Sequence, residues 1–450
     1  MGREAKVASR ELHRALGPWQ AASLVVGTII GTGIFLKSAT MAVTGGSAAW
    51  VLAAWACAGA LSLFGALTYA ELGAMFPHAG GEYVFLRQGY GPGMGFLYAW
   101  NRFWIATPGS IAAYAVGATT FLGGVLPVDP DSKLVAILLV VMFTGLNCLH
   151  VRAGGWLSTV LTAMKVVMIL GLAVGALLFA AGGDLGRVTQ TRGGFPGWSA
   201  FGMMVLAALW AYDGWNNLPM AAGEVREPQK NLPRAIVWGT LGVFAIYALV
   251  NVGYFAALPF EAITAKSSES IAQRTASTFL GGPAQALLAA AMGISALSAM
   301  HGSMLTGARV PFAVARDGLA PKQLGELAGA NVPIVSVLVQ GLLACVFALS
   351  GRFDQLTDAV VFASWLFYAL NAGTVLLLRK REPDRERSYR VPGFPVVPVV
   401  FMALSGLLLV NTIMTTPMPS LLGLGSTAAG ALVYAVFLRK KANSSTSTST

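Results

Sequence analysis

The sequence predicts an all-α polytopic membrane protein of about twelve transmembrane helices. They are arranged as two five-helix units of opposite topology plus two extra helices, with helices 1 and 6 discontinuous. Three observations predict this. Of 450 residues, 56% are hydrophobic and 11% charged, with a mean hydropathy of +0.67, whereas soluble domains carry about 25% charged residues. Apolar stretches of membrane length recur at 17–42, 48–74, 93–125, 133–149, 155–181, 199–222, 235–258, 283–308, 333–350, 357–378, 395–414 and 419–438. Two of them, five spans apart, are interrupted in the middle by glycines and polar residues.

Span 1 carries Gly27-Thr28-Ile29-Ile30-Gly31-Thr32-Gly33, and span 6 carries Trp210-Ala211-Tyr212-Asp213-Gly214-Trp215-Asn216-Asn217. Breaking a helix in a bilayer exposes N–H and C=O groups where water is scarce, which is tolerated only beside a cavity or a ligand. Gly27 and Gly31 alone could be a helix-packing face; the third glycine, the threonines and the partner break in span 6 favour an opened backbone. Paired interruptions in matching positions of two halves point to a secondary transporter's binding site. Five is an odd number, so a second unit that begins like the first enters the membrane from the opposite face. The units are 17–182 and 198–380, preceded by a cytoplasmic N-terminus over 1–16. Two last spans lie within 394–440, and 441–450 is a Ser/Thr-rich disordered tail.

With the N-terminus inside, the cytoplasmic segments hold 21 of the 30 Lys and Arg residues, the external loops six and the spans three (Lys37, Arg102, Lys165). That bias fixes cytoplasmic N- and C-termini and accounts for the net charge of +11 without nucleic acid. The Arg379–Arg390 loop and Arg439-Lys440-Lys441 are topogenic charge or contacts to anionic lipid. Residues 1–16 lead straight into a full-length span, so no cleaved signal is expected. Cys57, Cys148 and Cys345 lie within spans, and no disulfide framework follows. No nucleotide loop, metal-ligand spacing or nucleophile set arises from the four histidines, so no enzyme, cofactor or metal is expected. A channel would need rings of carbonyls or charges, which two asymmetric breaks do not supply.

Several motifs recur together: Gly27–Phe35, Tyr69-Ala70-Glu71-Leu72-Gly73, Pro77, Gly80-Gly81-Glu82-Tyr83, Asn147-Cys148 and Ala163-Met164-Lys165. They continue with Ala211–Asn216, Glu224, Glu227-Pro228 and Asn231-Leu232-Pro233. Over nearly the whole chain this set resembles the amino acid–polyamine–organocation superfamily and, within it, the L-type amino acid transporters. The resemblance implies a leucine-transporter-like fold with a 5+5 inverted repeat, and exchange of amino acids across the membrane. It is also compatible with proton-coupled uptake, or with a sensor that binds amino acids without moving them. Mammalian L-type relatives link to a heavy chain through a cysteine between spans 3 and 4. Here that loop reads Pro127-Val128-Asp129-Pro130-Asp131-Ser132-Lys133, so no disulfide-linked partner is expected, and the resemblance is to a bacterial inner-membrane member working alone.

An α-amino acid suits such breaks. The start of a half-helix offers unpaired N–H donors and positive dipole charge to a carboxylate, and the end of the other half offers carbonyls to an ammonium. The N–H groups around Thr32, Gly33 and Ile34 are assigned to the carboxylate, with Gly31 among the substrate-binding residues. The carbonyls around Ile29, Trp210 and Asp213 are assigned to the ammonium. By the resemblance Trp210 stands where relatives place an aromatic gate; plain packing is the alternative. Asp213 is either an anionic subsite for a lysine, arginine or ornithine side chain or an N-cap for the second half of span 6. Lys165, about 15 Å deep in span 5, stands by the resemblance where sodium sits in sodium-coupled members. It would bridge spans 1 and 8 and dispense with sodium, or carry a proton; a structural carbonyl contact is the other reading. Asn216 and Ser298 complete the expected substrate contacts, Trp365 shapes the distal pocket or packs, and His301 packs or tunes the pocket. Arg102 is expected at the cytoplasmic end of span 3, snorkelling to the surface.

Overall fold

A computed structural model describes residues 14–438 apart from 124, 126–131, 150, 191–193, 268, 329–331 and 351–352. Most of the N-terminal segment, most of the loop before Lys133, the 441–450 tail and Arg439-Lys440-Lys441 lie outside the described residues. The described residues contain helices and no named strand; two isolated bridges, Leu16 with Val225 and Ala328 with Val332, are the only β pairing among them. Among the described residues, nine helices are long and apolar enough to cross a membrane, and three shorter apolar helices accompany them.

Span 1 is two helices, α1 (Pro18–Ile29) and α2 (Gly33–Gly45). Span 2 is α3 (Ala48–Met75), followed by the amphipathic α4 (Glu82–Tyr90). Span 3 is α5 (Pro92–Asn101), a π-turn over Arg102–Ala106, and α6 (Thr107–Leu122). Pro108 has no N–H to return to the preceding turn, a recognised cause of such a bulge. Spans 4 and 5 are α7 (Lys133–Leu149) and α8 (Val151–Phe179). Span 6 is α9 (Trp198–Tyr212) and, beyond its break, only the short α10 (Asn217–Met220) and a 3₁₀ turn at Ala222–Glu224. The stretch 199–222, read from sequence as an interrupted span, is thus a helix, a break and a single short helical turn. Spans 7 and 8 are α11 (Pro228–Ala257) and α12 (Gly282–Gly307), the latter continued by α13 (Arg309–Arg316). Then come α14 (Ile334–Ser350), α15 (Phe353–Arg381), α16 (Val396–Thr415) and α17 (Pro417–Val433).

Burial separates a core from a shell. Within the most apolar windows of spans 3 and 10, 78% and 72% of residues are buried, against 22% and 17% in spans 11 and 12. Exposed Leu, Val and Met residues cover α7, α14, α16 and α17, as lipid-facing helices require. The loop after α15 is pinned inward. The buried Glu71 carboxylate accepts Arg379 Nε and Nη2 at 2.9 and 2.8 Å and the Val391 N–H at 2.7 Å, with Arg387 Nε 3.3 Å away. Two cations read from sequence as topogenic or lipid-directed are thus engaged by the fold itself.

Candidate functional site

The two interruptions lie against each other. Gly33, at the start of α2, touches the end of α9 so closely that a Cβ would come 2.6 Å from the Ala211 Cα. Reciprocally, Gly214 packs on the end of α1, where a Cβ would meet the Thr28 carbonyl carbon at 2.8 Å. Its φ of +127° is one that only glycine adopts without strain. Thr28 Oγ1, which donates to the Leu24 carbonyl of its own helix at 2.7 Å, also lies 3.2 Å from the Gly214 carbonyl, 186 residues away in sequence. The segment from Ile29 to Ile34 is buried throughout.

Four carbonyls at the end of span 1's first half have lost their helical donors, and other spans supply replacements. Lys165 Nζ on α8 donates to the Gly27 and Ile30 carbonyls at 2.8 and 2.9 Å. Tyr114 on α6 reaches the Thr28 carbonyl at 3.4 Å. Ser295 on α12 reaches that of Ile30 at 3.3 Å. The Tyr247 hydroxyl on α11 donates to both the Ile29 and the Ala211 carbonyls, at 3.0 and 3.1 Å, and so holds the last turns of both broken helices. On the other side of the break no such set exists among the described residues. The first N–H groups of α2 have no carbonyl one turn back, and the buried Thr32 hydroxyl has no partner among the described residues.

Beneath the second break is a buried polar cluster. Tyr368 on α15 donates to Asp213 Oδ1 at 2.8 Å and accepts from Asn216 Nδ2 at 2.8 Å. Glu82, fully buried at the start of α4, accepts Tyr69 at 2.8 Å, Tyr98 on its other oxygen and Asn216 at 3.5 Å. Arg102 Nη2 donates to Asn217 Oδ1 at 2.7 Å. Among the described residues no group of three His, Cys, Asp or Glu is placed to hold a metal.

Residues 16–438 match the family model described as amino acid permease. The chain belongs to that family. It is 30% identical over 416 residues to the b(0,+)-type amino acid transporter 1 of Mus musculus, covering 90% of this chain and 84% of that one. It is 31% identical over 437 residues to the serine/threonine exchanger SteT of Bacillus subtilis, covering 96% and 98%. Identity to the large neutral amino acids transporter small subunit 2 of Mus musculus is 28% over 438 residues, covering 94% and 81%. These relatives are transporters by name, and this permease is a multi-pass membrane protein.

Within the permease, the structure brings Ile29, Gly31, Thr32, Gly33, Ile34, Trp210, Asp213 and Asn216 together at the paired breaks. Trp210 is buried, its ring 5.3 Å from that of Tyr114. Trp365 is buried against Tyr368 and Phe401, at 5.7 and 5.5 Å. Ser298 is half-buried on α12, but the hydroxyl from that helix that reaches the break is Ser295, one turn earlier. Correspondingly, Lys165 ties span 5 to span 1 alone, and Ser295 brings span 8 to the same carbonyl. His301 lies against Phe143. Arg102 corrects its expectation outright: it is 3% exposed in the π-turn and bonded to the span 6 break, not snorkelling at a helix end. Tyr114, Tyr247, Ser295 and Tyr368 escaped sequence reasoning, because a lone hydroxyl in an apolar span makes no pattern; Glu82 and Tyr69 stood within two of the motifs, but nothing in the sequence shows that they meet.

Proposed function

We propose that this permease is a sodium-independent amino acid exchanger working by alternating access, with the substrate's α-carboxylate and α-ammonium held at the paired breaks. The observation that carries this reading is the asymmetry of the break: unpaired N–H groups and the Thr32 hydroxyl on one side, carbonyls gripped by exchangeable hydroxyls on the other. Thr32, Gly33 and Ile34 would take the carboxylate, with Gly31 supplying the turn. The carbonyls of Ile29, Trp210 and Asp213 would take the ammonium. Of these, Ile29 accepts Tyr247 and Trp210 accepts the Asp213 N–H at 3.2 Å, so substrate would replace or share those donors. Trp210 would gate the site over Tyr114, and Asn216, Ser298 and Trp365 would line its far side. The Lys165 ammonium on two carbonyls occupies the role a sodium ion would otherwise take.

Helix packing supports twelve spans organised as repeats 17–182 and 198–380, with 394–440 outside them. Span 1 packs on span 6, span 2 on span 7, span 3 on span 8 and span 4 on span 9. The crossed pairs also match: spans 1 and 7 touch, as do 6 and 2; spans 3 and 10 touch, as do 8 and 5. A contact map that returns to itself when each span number moves by five is what a twofold inverted repeat produces. Cytoplasmic residues 1–16 and the 441–450 tail would flank it in a bacterial inner membrane.

Both ends of the path are latched. At one, the Leu16 N–H donates to the Glu224 carbonyl at 2.8 Å, and Glu224 is paired with Arg309 at 2.8 Å. At the other, Lys37 donates to Thr357 at 2.8 Å and Ser38 to Asn251 at 2.6 Å. Hollows of about 440 and 380 Å³ lie outside these latches, one beside Arg14 and the other beside Thr40. Alternating access requires opening one latch at a time.

Reconstituted vesicles test the proposal. Labelled amino acid should enter only when unlabelled amino acid is inside, equally in sodium and in choline buffer. Entry into empty vesicles driven by a pH gradient would support proton symport instead, and saturable binding without entry would support a sensor.

A further inference from the structure

The exchanger reading leaves one buried charge unused. Arg102 is held by the π-turn of span 3 at the level of the span 6 break, with one N–H on Asn217 Oδ1. Its Nε and Nη1 are buried without a partner among the described residues. The cluster it enters already contains two carboxylates, Glu82 and Asp213, joined through Asn216 and Tyr368. Arg102 lies within electrostatic range of both. On the far side of the paired breaks Lys165 supplies a second cation. The ionisable groups meeting the two breaks are therefore two carboxylates, a guanidinium and an ammonium, with a formal charge of zero.

That balance decides which side chains fit. A zwitterion with an uncharged side chain leaves the centre neutral. A cationic side chain adds an uncompensated charge beside a guanidinium, where water is excluded and like charges repel strongly. Asp213 has less to offer such a newcomer, since Tyr368 already hydrogen-bonds its carboxylate. An anionic side chain would meet Arg102, but also the two carboxylates that Arg102 serves. Specificity arises as much from what a site repels as from what it holds.

We propose that Arg102 is a resident cation standing where the side chain of a lysine or arginine substrate would stand, so that the site selects amino acids with uncharged side chains. This rests on the exchanger reading and narrows its substrate class. Exclusion of a cationic side chain through one buried like charge is on the order of tenfold or more in affinity.

The experiment is competition in vesicles containing the full-length protein. Exchange of a labelled neutral amino acid is inhibited with each unlabelled amino acid in turn. Lysine, arginine and ornithine should half-inhibit at concentrations at least about tenfold above the best neutral competitor. Arg102→Gln should narrow that gap by about tenfold, whereas Arg102→Lys, which keeps the charge, should preserve it. Cationic or acidic amino acids competing as well as neutral ones in the unmutated protein overturns the proposal with no variant needed. A folded, exchanging Arg102→Gln with an unchanged gap overturns it as well. Failure to exchange any amino acid would instead sink the exchanger reading, so the two failures are distinct.

Discussion

Deleting one atom, the Tyr247 hydroxyl, separates the role of the breaks from that of the surrounding packing. Tyr247→Phe keeps the ring, which packs on Trp55 and Tyr212 at centroid distances of 5.6 and 5.1 Å. It removes a single proton shared by the Ile29 and Ala211 carbonyls. A buried hydrogen bond contributes about 0.5–1.5 kcal/mol net, and each orphaned buried acceptor costs about 1–3 kcal/mol. Some of that is recovered if water or a shifted backbone group reaches one carbonyl, so the expected loss is about 1–3 kcal/mol. In detergent, the ligand-free variant should melt a few degrees lower. A substrate ammonium brings its own donors to the Ile29 carbonyl, one of the two, so saturating amino acid should restore stability more in the variant than in the unmutated protein. Apparent affinity should rise by the same coupling, about 5- to 150-fold for 1–3 kcal/mol. Equal melting temperatures without ligand, together with equal ligand-induced shifts, would refute the assignment of the Ile29 carbonyl to the ammonium.

Gly33→Ala forces the Ala211 backbone back by about 1 Å; at the about 1–3 kcal/mol typical of overpacking, exchange should fall at least several-fold while protein still reaches the membrane, read by uptake against surface quantity. Lys165→Met leaves the Gly27 and Ile30 carbonyls with no ammonium, and exchange should drop by more than about tenfold; Lys165→Arg, whose planar group cannot sit as a point charge between two carbonyls, should recover little of it. Arg309→Met strands the Glu224 carboxylate and Glu224→Gln strands the Arg309 guanidinium, each 2% exposed, at a cost of about 3–5 kcal/mol, so each should melt well below the unmutated protein and the double variant above the two singles. Glu71→Gln weakens the clasp on Arg379, Arg387 and the Val391 N–H, so trypsin should cut within 382–390 faster than in the unmutated protein.

Most of the fold was legible because the bilayer imposes one rule on every span. Helix ends fall within a few residues of the apolar stretches, as at Ala48–Met75 and Gly282–Gly307. They depart where a proline extends or cuts a helix, as at Pro228 before span 7 and Pro219 after the second break. The breaks were legible for a related reason. Only glycine tolerates the backbone approach at Gly33 and the dihedral at Gly214, so the geometry leaves its mark on the residue that adopts it.

The partners of the breaks leave no such mark. Tyr247 serves two carbonyls from 36 and 218 residues away, and in its own span it is one more aromatic among apolar neighbours. Arg102 is the instructive case, because the signal was there. It lies nine residues beyond the start of the 93–125 stretch, about 14 Å into the membrane at 1.5 Å per residue, nearly as deep as Lys165. Counting depth alone places it in the core, where a guanidinium persists only against opposite charge. Only the tertiary structure identifies that charge, since Glu82 comes from a short amphipathic helix and Asp213 from the end of α9. Sequence locates a buried charge by the cost of its position; the fold alone reveals what offsets that cost. For Arg102 the carboxylates within electrostatic range are Glu82 and Asp213, the second being the one that sequence reasoning had offered to a cationic substrate, and this is why the proposed substrate class rests on a residue outside the motifs of either break.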